Sequence, residues 1–364
     1  MKALLIGGSG PTGPAVVEGL LARGYEVSVL NRGVHRVPLP DDVTEIVGDP
    51  HFLEPMQEAL GDRTFDVVVA SYGRLGVTSE ALAGRAGRFI GIGGVPAYRG
   101  YMDPGENFPR GNLMPLREDA PLAGPGDNRF EVLIAAAEST VMDFHPMATI
   151  FRYPYVYGPR QVVPREWSIV RRVLDGRRTL IAMNGGLALI THLYAENAVH
   201  AVLLAVDQPE VAAGKIYNIA DDGQLDERQF FEVAAAALDV EIDVVSIPQV
   251  ASLRGVGMSL LGGHKMLDTN LIRTELGYRD AVPSVEAITR TVRWYHDNPL
   301  ERGSEYEQRM HDVFDYESED RIIELFRTYK DSLGAIELKE RENYTLHPYA
   351  HPKKSVIGRD EKGR

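Results

Sequence analysis

Three glycines near the start of the chain carry the clearest chemical signal. Gly7, Gly10 and Gly13 stand in the spacing G-x-x-G-x-x-G, with Pro11 and Thr12 between the last two. A glycine at the first position permits a sharp turn. At the second it lets the backbone approach a pyrophosphate, and at the third it lets a following helix pack closely on the preceding strand. The free amides and positive dipole end of that helix would face the phosphates. A second chemical signal follows at Asn31-Arg32-Gly33, with His35 and Arg36 close behind. A carboxylate at this position would bind a ribose 2′-hydroxyl, and a guanidinium can pair with a 2′-phosphate. The acid is absent and arginine is present, which points to NADP(H) over NAD(H).

These residues need particular elements to position them. Met1–Ile6 is a short apolar run and reads as a strand. Pro14–Ala22 reads as a helix with Val16, Val17, Leu20 and Leu21 on one face. Three spaced glycines say little in a chain with 36 of them. Their place between a strand and a helix is what makes the reading specific. Further strands are expected at 26–30, 45–49, 65–70, 88–94 and 148–153, with helices at 52–60, around 81–86 and at 130–141. Alternating strands and helices predict a doubly wound parallel sheet of Rossmann type. The Gly-, Pro-, Asp- and Asn-rich stretch 95–127 is expected to be a functional loop. The division expected is a dinucleotide-binding domain over 1–160, its sheet completed by parts of 185–220. A smaller substrate-binding domain follows over 161–298, with an added helix and extended tail over 299–364. Asp226 is expected to cap a helix through Leu238, and Ser284 to open one to about His296.

Composition bounds the rest. At 364 residues, 44% hydrophobic and 25% charged, the chain has the make-up of an ordinary globular protein able to bury its own core. It contains no cysteine, so disulfides and thiolate chemistry are excluded. The histidines are scattered, and none has metal-ligand spacing with carboxylates. The net charge of −13 argues against a general nucleic-acid binder. The opening apolar run is shorter than a signal peptide's core, and no stretch is long enough to span a bilayer. The expectation is a cytoplasmic enzyme with a small-molecule substrate and neither a nucleic-acid nor a membrane partner.

Motifs spread to about residue 298 carry a resemblance. They are Gly7–Gly13, Gly48-Asp49, Arg152-Tyr153-Pro154-Tyr155-Val156-Tyr157-Gly158-Pro159, and Ile190–Ala201 around His192. Tyr217-Asn218-Ile219-Ala220, Leu267-Asp268-Thr269 with Leu276-Gly277-Tyr278, and Arg293-Trp294-Tyr295 complete the set. In order and spacing the chain resembles an extended short-chain dehydrogenase/reductase of the NAD-dependent epimerase/dehydratase kind. The resemblance implies that Asp49 contacts the adenine and that Ala70–Tyr72 lies along the cofactor. It also implies that the residues after Arg152, beginning with Tyr153, border the nicotinamide.

That family uses a Ser/Thr, a Tyr and a Lys, the last two separated by three residues on a helix. Aligned on Glu138, this chain has Phe130 and Ile134 at the Tyr and Lys positions, and Gly94 at the Ser position. No lysine occurs between Lys2 and Lys215, and Tyr349–Lys353 in the tail is the only Tyr-x-x-x-Lys in the chain. The usual proton relay is therefore expected to be missing. Tyr155 is the first candidate to replace it, then Tyr98 and Tyr101 in the loop after the fifth strand, then His192. A tyrosine near its ordinary pKa of about 10 is a poor base but an adequate donor, which suits reduction. The expected function is an NADP(H)-dependent reductase. The alternatives are a non-catalytic dinucleotide sensor or scaffold, and a non-redox enzyme of the epimerase/dehydratase type. Arg171, Arg172, Arg177 and Arg178 form a local basic cluster, which helix-surface solvation explains as well as a phosphate does. The tail reads equally as a partly ordered end or as an arm across the neighbouring subunit of a homodimer.

Overall fold

The computed structural model describes residues 1–337 except 9, 34–38, 72–73, 103–106, 110, 249–262 and 311. Residues 1–319 form one compact unit and 320–364 a second. Six strands lead the first unit: β1 (Lys2–Ile6), β2 (Glu26–Asn31), β3 (Thr44–Val47), β4 (Phe65–Ala70), β5 (Ala86–Gly94) and β6 (Thr149–Tyr153). β10 (Ile216–Asn218) joins them in a seven-stranded sheet of order β10-β6-β5-β4-β1-β2-β3. Every pairing in it is parallel. Strands buried on both faces need apolar side chains on both. Ala3–Ile6 and Val67–Ala70 meet this requirement, with at most 1% of any side chain exposed.

Helices cover both faces. α1 (Gly13–Leu21) and α6 (Ala195–Asp207) lie on one, with Val16, Val17 and Leu20 in the same apolar cluster as Ala198, Ala201 and Val202. α2 (Leu53–Leu60), α3 (Leu75–Ala81) and α4 (Arg129–Phe144) lie on the other, around Met56, Leu75 and Val141. The chain runs outward from β1 to β3 and returns to β4 beside β1. The carboxyl ends of β1 and β4 therefore flank the crevice where open parallel sheets take their ligands.

The remaining elements build a second core. α5 (Trp167–Leu174), α8 (Glu227–Ala237) and α10 (Ser284–Asp297) contribute Trp167, Val170, Phe230, Phe231, Ile288 and Val292 to it. Two short parallel pairs border this core: β7 (Tyr155–Tyr157) with β9 (His192–Tyr194), and β8 (Thr179–Met183) with β11 (Asp243–Ile247). α7 (Pro209–Ala212), α9 (Asn270–Glu275), α11 (Glu305–Gln308) and α12 (Tyr316–Gly334) complete the described elements. Asp226 caps α8 in a full capping box with Gln229. The stretch 249–263, with several glycines, reads as mobile from its sequence and falls almost wholly outside the described residues.

One reading is corrected. The arginines of α5 are not a solvated surface. Arg172 is 3% exposed, its guanidinium lying between the carboxylates of Asp312 and Glu319. Arg171 pairs with Glu307 at 2.5 Å, and Glu307 also accepts the Trp167 indole N–H at 2.8 Å. Residues 302–319 thus dock on α5 through charge pairs. Local periodicity carries no trace of partners more than 130 residues away.

Candidate active site

The glycine turn has the geometry its spacing requires. Gly7 has φ +97°, a conformation that side chains disfavour. A Cβ on Gly13 would lie 2.3 Å from the Gly8 carbonyl oxygen, so α1 can reach the strand only with glycine there. Gly10 differs: a Cβ there would meet only the Gly7 carbonyl oxygen, at 3.9 Å, and otherwise open space. Thr12 is the N-cap of α1 without a side-chain capping bond, and the first turn of α1 holds no acid. The helix start thus keeps donors and positive dipole for an external anion. Pro11 and Thr12 are partly exposed beside it. Gly10→Ala is expected to leave the melting temperature unchanged and to weaken dinucleotide binding by about tenfold or more, equivalent to about 1.4 kcal/mol. Fluorescence titration with NADPH and NADH checks it, and unchanged affinity would remove Gly10 from the site.

The other expected cofactor residues gather at the same edge. Asn31 ends β2. Its side-chain carbonyl accepts the Gly33 amide at 2.7 Å, and its side-chain amide donates to Glu45 on β3 at 3.0 Å. Arg32 is exposed beside it, and its charge reaches Asp49. The Asp49 carboxylate is held below its usual range first by the His51 amide and then by the His51 ring and Arg32. Ala70 closes β4 opposite Ile6, with 1% exposed. Tyr153, at the end of β6, donates its hydroxyl to the Ala198 carbonyl at 3.3 Å. Arg36 and Tyr72 lie outside the described residues.

The candidate tyrosines separate by what their hydroxyls do. Tyr98 has no exposed surface. Its hydroxyl donates to Asn218 Oδ1 at 2.6 Å and accepts from Arg152 Nη1 at 2.9 Å. Arg152 is held in turn by Glu138 at 2.8 Å, both side chains 2% exposed. Tyr98 therefore belongs to a buried network that ties the ends of β5, β6 and β10 together. It does not face a ligand, which corrects its expected catalytic role. Tyr155 is corrected in the same way. Its hydroxyl donates to the Val163 carbonyl at 2.9 Å and accepts the Arg165 amide at 3.0 Å, with Glu166 Oε2 at 3.3 Å. Burial pushes its pKa well above the ordinary value, and its hydroxyl is taken up by these partners rather than by a ligand.

Tyr101 is different. Its hydroxyl makes no hydrogen bond with a described residue, and burial pushes its pKa up to about 12 while the Arg165 charge opposes this. Its backbone is fixed from both sides. Glu131 of α4, 1% exposed, accepts the Gly100 amide at 3.0 Å and the Met102 amide at 2.5 Å. Lys265, 5% exposed, donates to the Tyr101 carbonyl and holds its Nζ 4.7 Å from the ring centroid. Burial lowers the Lys265 pKa. Glu131, Lys265 and Arg165 had no signal in the sequence, because each reaches the loop from a distant element. His192 packs edge-on against Tyr155, with centroids 5.8 Å apart. Burial and then Arg165 hold its pKa at about 4, so the ring is neutral near pH 7. Phe130, aligned with the family's tyrosine, is 52% exposed on α4. Among the described residues no His, Asp and Glu cluster could hold a metal ion, and no helix is long and apolar enough to cross a membrane.

Known proteins agree with this architecture. Residues 132–220 match the model of the NAD dependent epimerase/dehydratase family. Among curated proteins, the uncharacterized Escherichia coli protein YbjS is 25% identical over 41% of this chain and 50% of its own length. The chain thus spans about half of that relative. A 3-diazoavenalumate denitrifying reductase from a Streptomyces species is 28% identical over 61% of this chain and 76% of its own. Among solved structures, the dTDP-glucose 4,6-dehydratase DesIV of Streptomyces venezuelae, determined with NAD bound, superposes with a TM-score of 0.63 at 21% identity. It covers 82% of this chain and 98% of DesIV. Over residues 132–220 the chain thus matches the NAD dependent epimerase/dehydratase family, and its fold is that of extended short-chain dehydrogenases/reductases.

Proposed function

We propose that the protein is a nicotinamide-dinucleotide-dependent reductase of a small organic molecule, working without a Tyr-x-x-x-Lys pair and preferring NADP(H) to NAD(H). The observation that carries this reading is Tyr101. Its hydroxyl makes no hydrogen bond with a described residue and sits in a loop clamped from two sides, after the strand β5 of a sheet that opens with the glycine turn. The bound cofactor would supply hydride. The residues around the turn would hold its phosphates, and Tyr101 would donate to the substrate oxygen as charge builds there. Hydride forms the new C–H bond, the oxygen takes the tyrosine proton, and water restores it. A hydroxyl with its pKa near 12 is protonated throughout the neutral range, so it serves reduction better than alcohol oxidation. The relatives include a reductase by name, which supports the direction. The setting is the cytoplasm, with no nucleic-acid or membrane partner.

The NADP(H) preference rests on Arg32 just after β2, whose last residue, Asn31, is not an acid. Arg32→Ala is expected to raise the KM for NADPH about tenfold, or about 1.4 kcal/mol, and to leave that for NADH unchanged. Equal effects on both cofactors would remove the 2′-phosphate role. A protein that binds NADPH but consumes it with no carbonyl compound would be a sensor.

A further inference from the structure

Arg165 precedes α5 and stands apart from the other large-scale charge pairs of this region. Arg152 and Arg172 are each matched by buried carboxylates. The Arg165 side chain makes no hydrogen bond or ion pair with a described residue, although its Nε is buried. A guanidinium carries five donors in a fixed fork, and leaving a buried one unmade is costly. The group is nonetheless held in place. Its carbon lies 4.0 Å from the Tyr155 ring centroid, and its backbone amide donates to the Tyr155 hydroxyl. The neighbouring Glu166 feels its charge, which opposes the effect of burial on that carboxyl, but makes no hydrogen bond to the guanidinium. Glu166 has no exposed surface, is hydrogen-bonded through Oε2 to Tyr155, and forms no ion pair with Arg165. Burial raises the Glu166 pKa to about 7. The Arg165 charge acts on Tyr101 and on His192, and His192 packs edge-on against the same Tyr155 ring that Arg165 covers.

We propose that Arg165 anchors a carboxylate of the substrate and so presents the group to be reduced to Tyr101. One unmatched positive charge balances one carboxylate, and the planar fork fits its two oxygens. A phosphate dianion would need a second cation, and the nearby Lys265 is already bound to the Tyr101 carbonyl. The Tyr155 ring borders the guanidinium and His192 packs against that ring, so a flat oxo-acid is the class of molecule that fits. This assignment rests on the reductase reading, and the test keeps the two apart.

The probes are 4-carboxybenzaldehyde and its neutral analogue methyl 4-formylbenzoate, with benzoate binding to the NADPH-saturated protein measured by calorimetry. The wild type is expected to bind benzoate and to reduce the acid with the higher kcat/KM. Arg165→Gln is expected to lower the acid-to-ester ratio about tenfold or more, the scale of a charge-assisted hydrogen-bonded pair, and to abolish benzoate binding. NADPH affinity and near-ultraviolet circular dichroism stay unchanged. Arg165→Lys, which keeps the charge, retains most of the preference. An acid-to-ester ratio unchanged in Arg165→Gln, absence of benzoate binding in the wild type, or displacement of benzoate by lower concentrations of inorganic phosphate overturns the proposal. Arg165-dependent benzoate binding without consumption of either aldehyde upholds the anchor and overturns the reductase reading instead.

Discussion

Glu138→Ala is expected to destabilise the protein by about 3–5 kcal/mol, the scale for leaving a buried charge without its partner. The carboxylate meets Arg152 through both oxygens, at 2.8 to 3.2 Å, and neither residue is more than 2% exposed. Without it, the Arg152 guanidinium would keep only the Tyr98 hydroxyl and the Glu118 carbonyl as acceptors. The surrounding backbone is built around this carboxylate. A Cβ on Gly93 would lie 2.8 Å from Glu138 Oε1, so the strand leaves that space to it. The measurement is urea unfolding. A lowered midpoint with an unchanged slope is the expected result, and Glu138→Gln, which keeps shape and one acceptor, should lose less. A shift in Glu138→Ala below about 1 kcal/mol, the scale of a surface pair, would show that the network does not bind the strand ends together.

Tyr101→Phe is expected to lower turnover by about a hundredfold or more, the effect of removing one oxyanion donor. Stability and dinucleotide affinity should barely change, because the hydroxyl has no hydrogen-bonding partner among the described residues and lies in the loop after β5. Tyr98→Phe should do the reverse. It leaves a buried Asn218 oxygen and an Arg152 donor unpaired, at about 1–3 kcal/mol for an unsatisfied buried group. Steady-state kinetics beside thermal melting separates the two outcomes. Undiminished turnover in Tyr101→Phe would end its role as donor, whatever the melting temperature does.

The contrast between these tyrosines shows how far the chain could be read unaided. Position along the chain ranks Tyr155 ahead of Tyr98 and Tyr101. What distinguishes them is hydrogen bonding to Asn218, Arg152, Val163 and Arg165. Some of those partners are more than 50 residues away, and no local pattern encodes them. The three-residue strands β7 and β9 were invisible for the same reason, being held by pairing with each other rather than by a run of apolar residues. The arginines of α5 were misread because the acids that cover them arrive with residues 302–319.

The sequence by itself determined the doubly wound sheet, the glycine turn and the order of the motifs. Each follows from contiguous residues: apolar runs buried on both faces, glycines required by φ or by contact, and motifs in a set order. The tertiary structure alone decided which tyrosine is available and which arginine is unpaired. It brought Tyr101 of one loop under Lys265, 164 residues later, and over Glu131 of α4. A tyrosine and a lysine thus meet in space although the chain never places them one helical turn apart near the cofactor. Availability of a hydroxyl or a guanidinium is a sum over distant neighbours, and only folding assembles that sum.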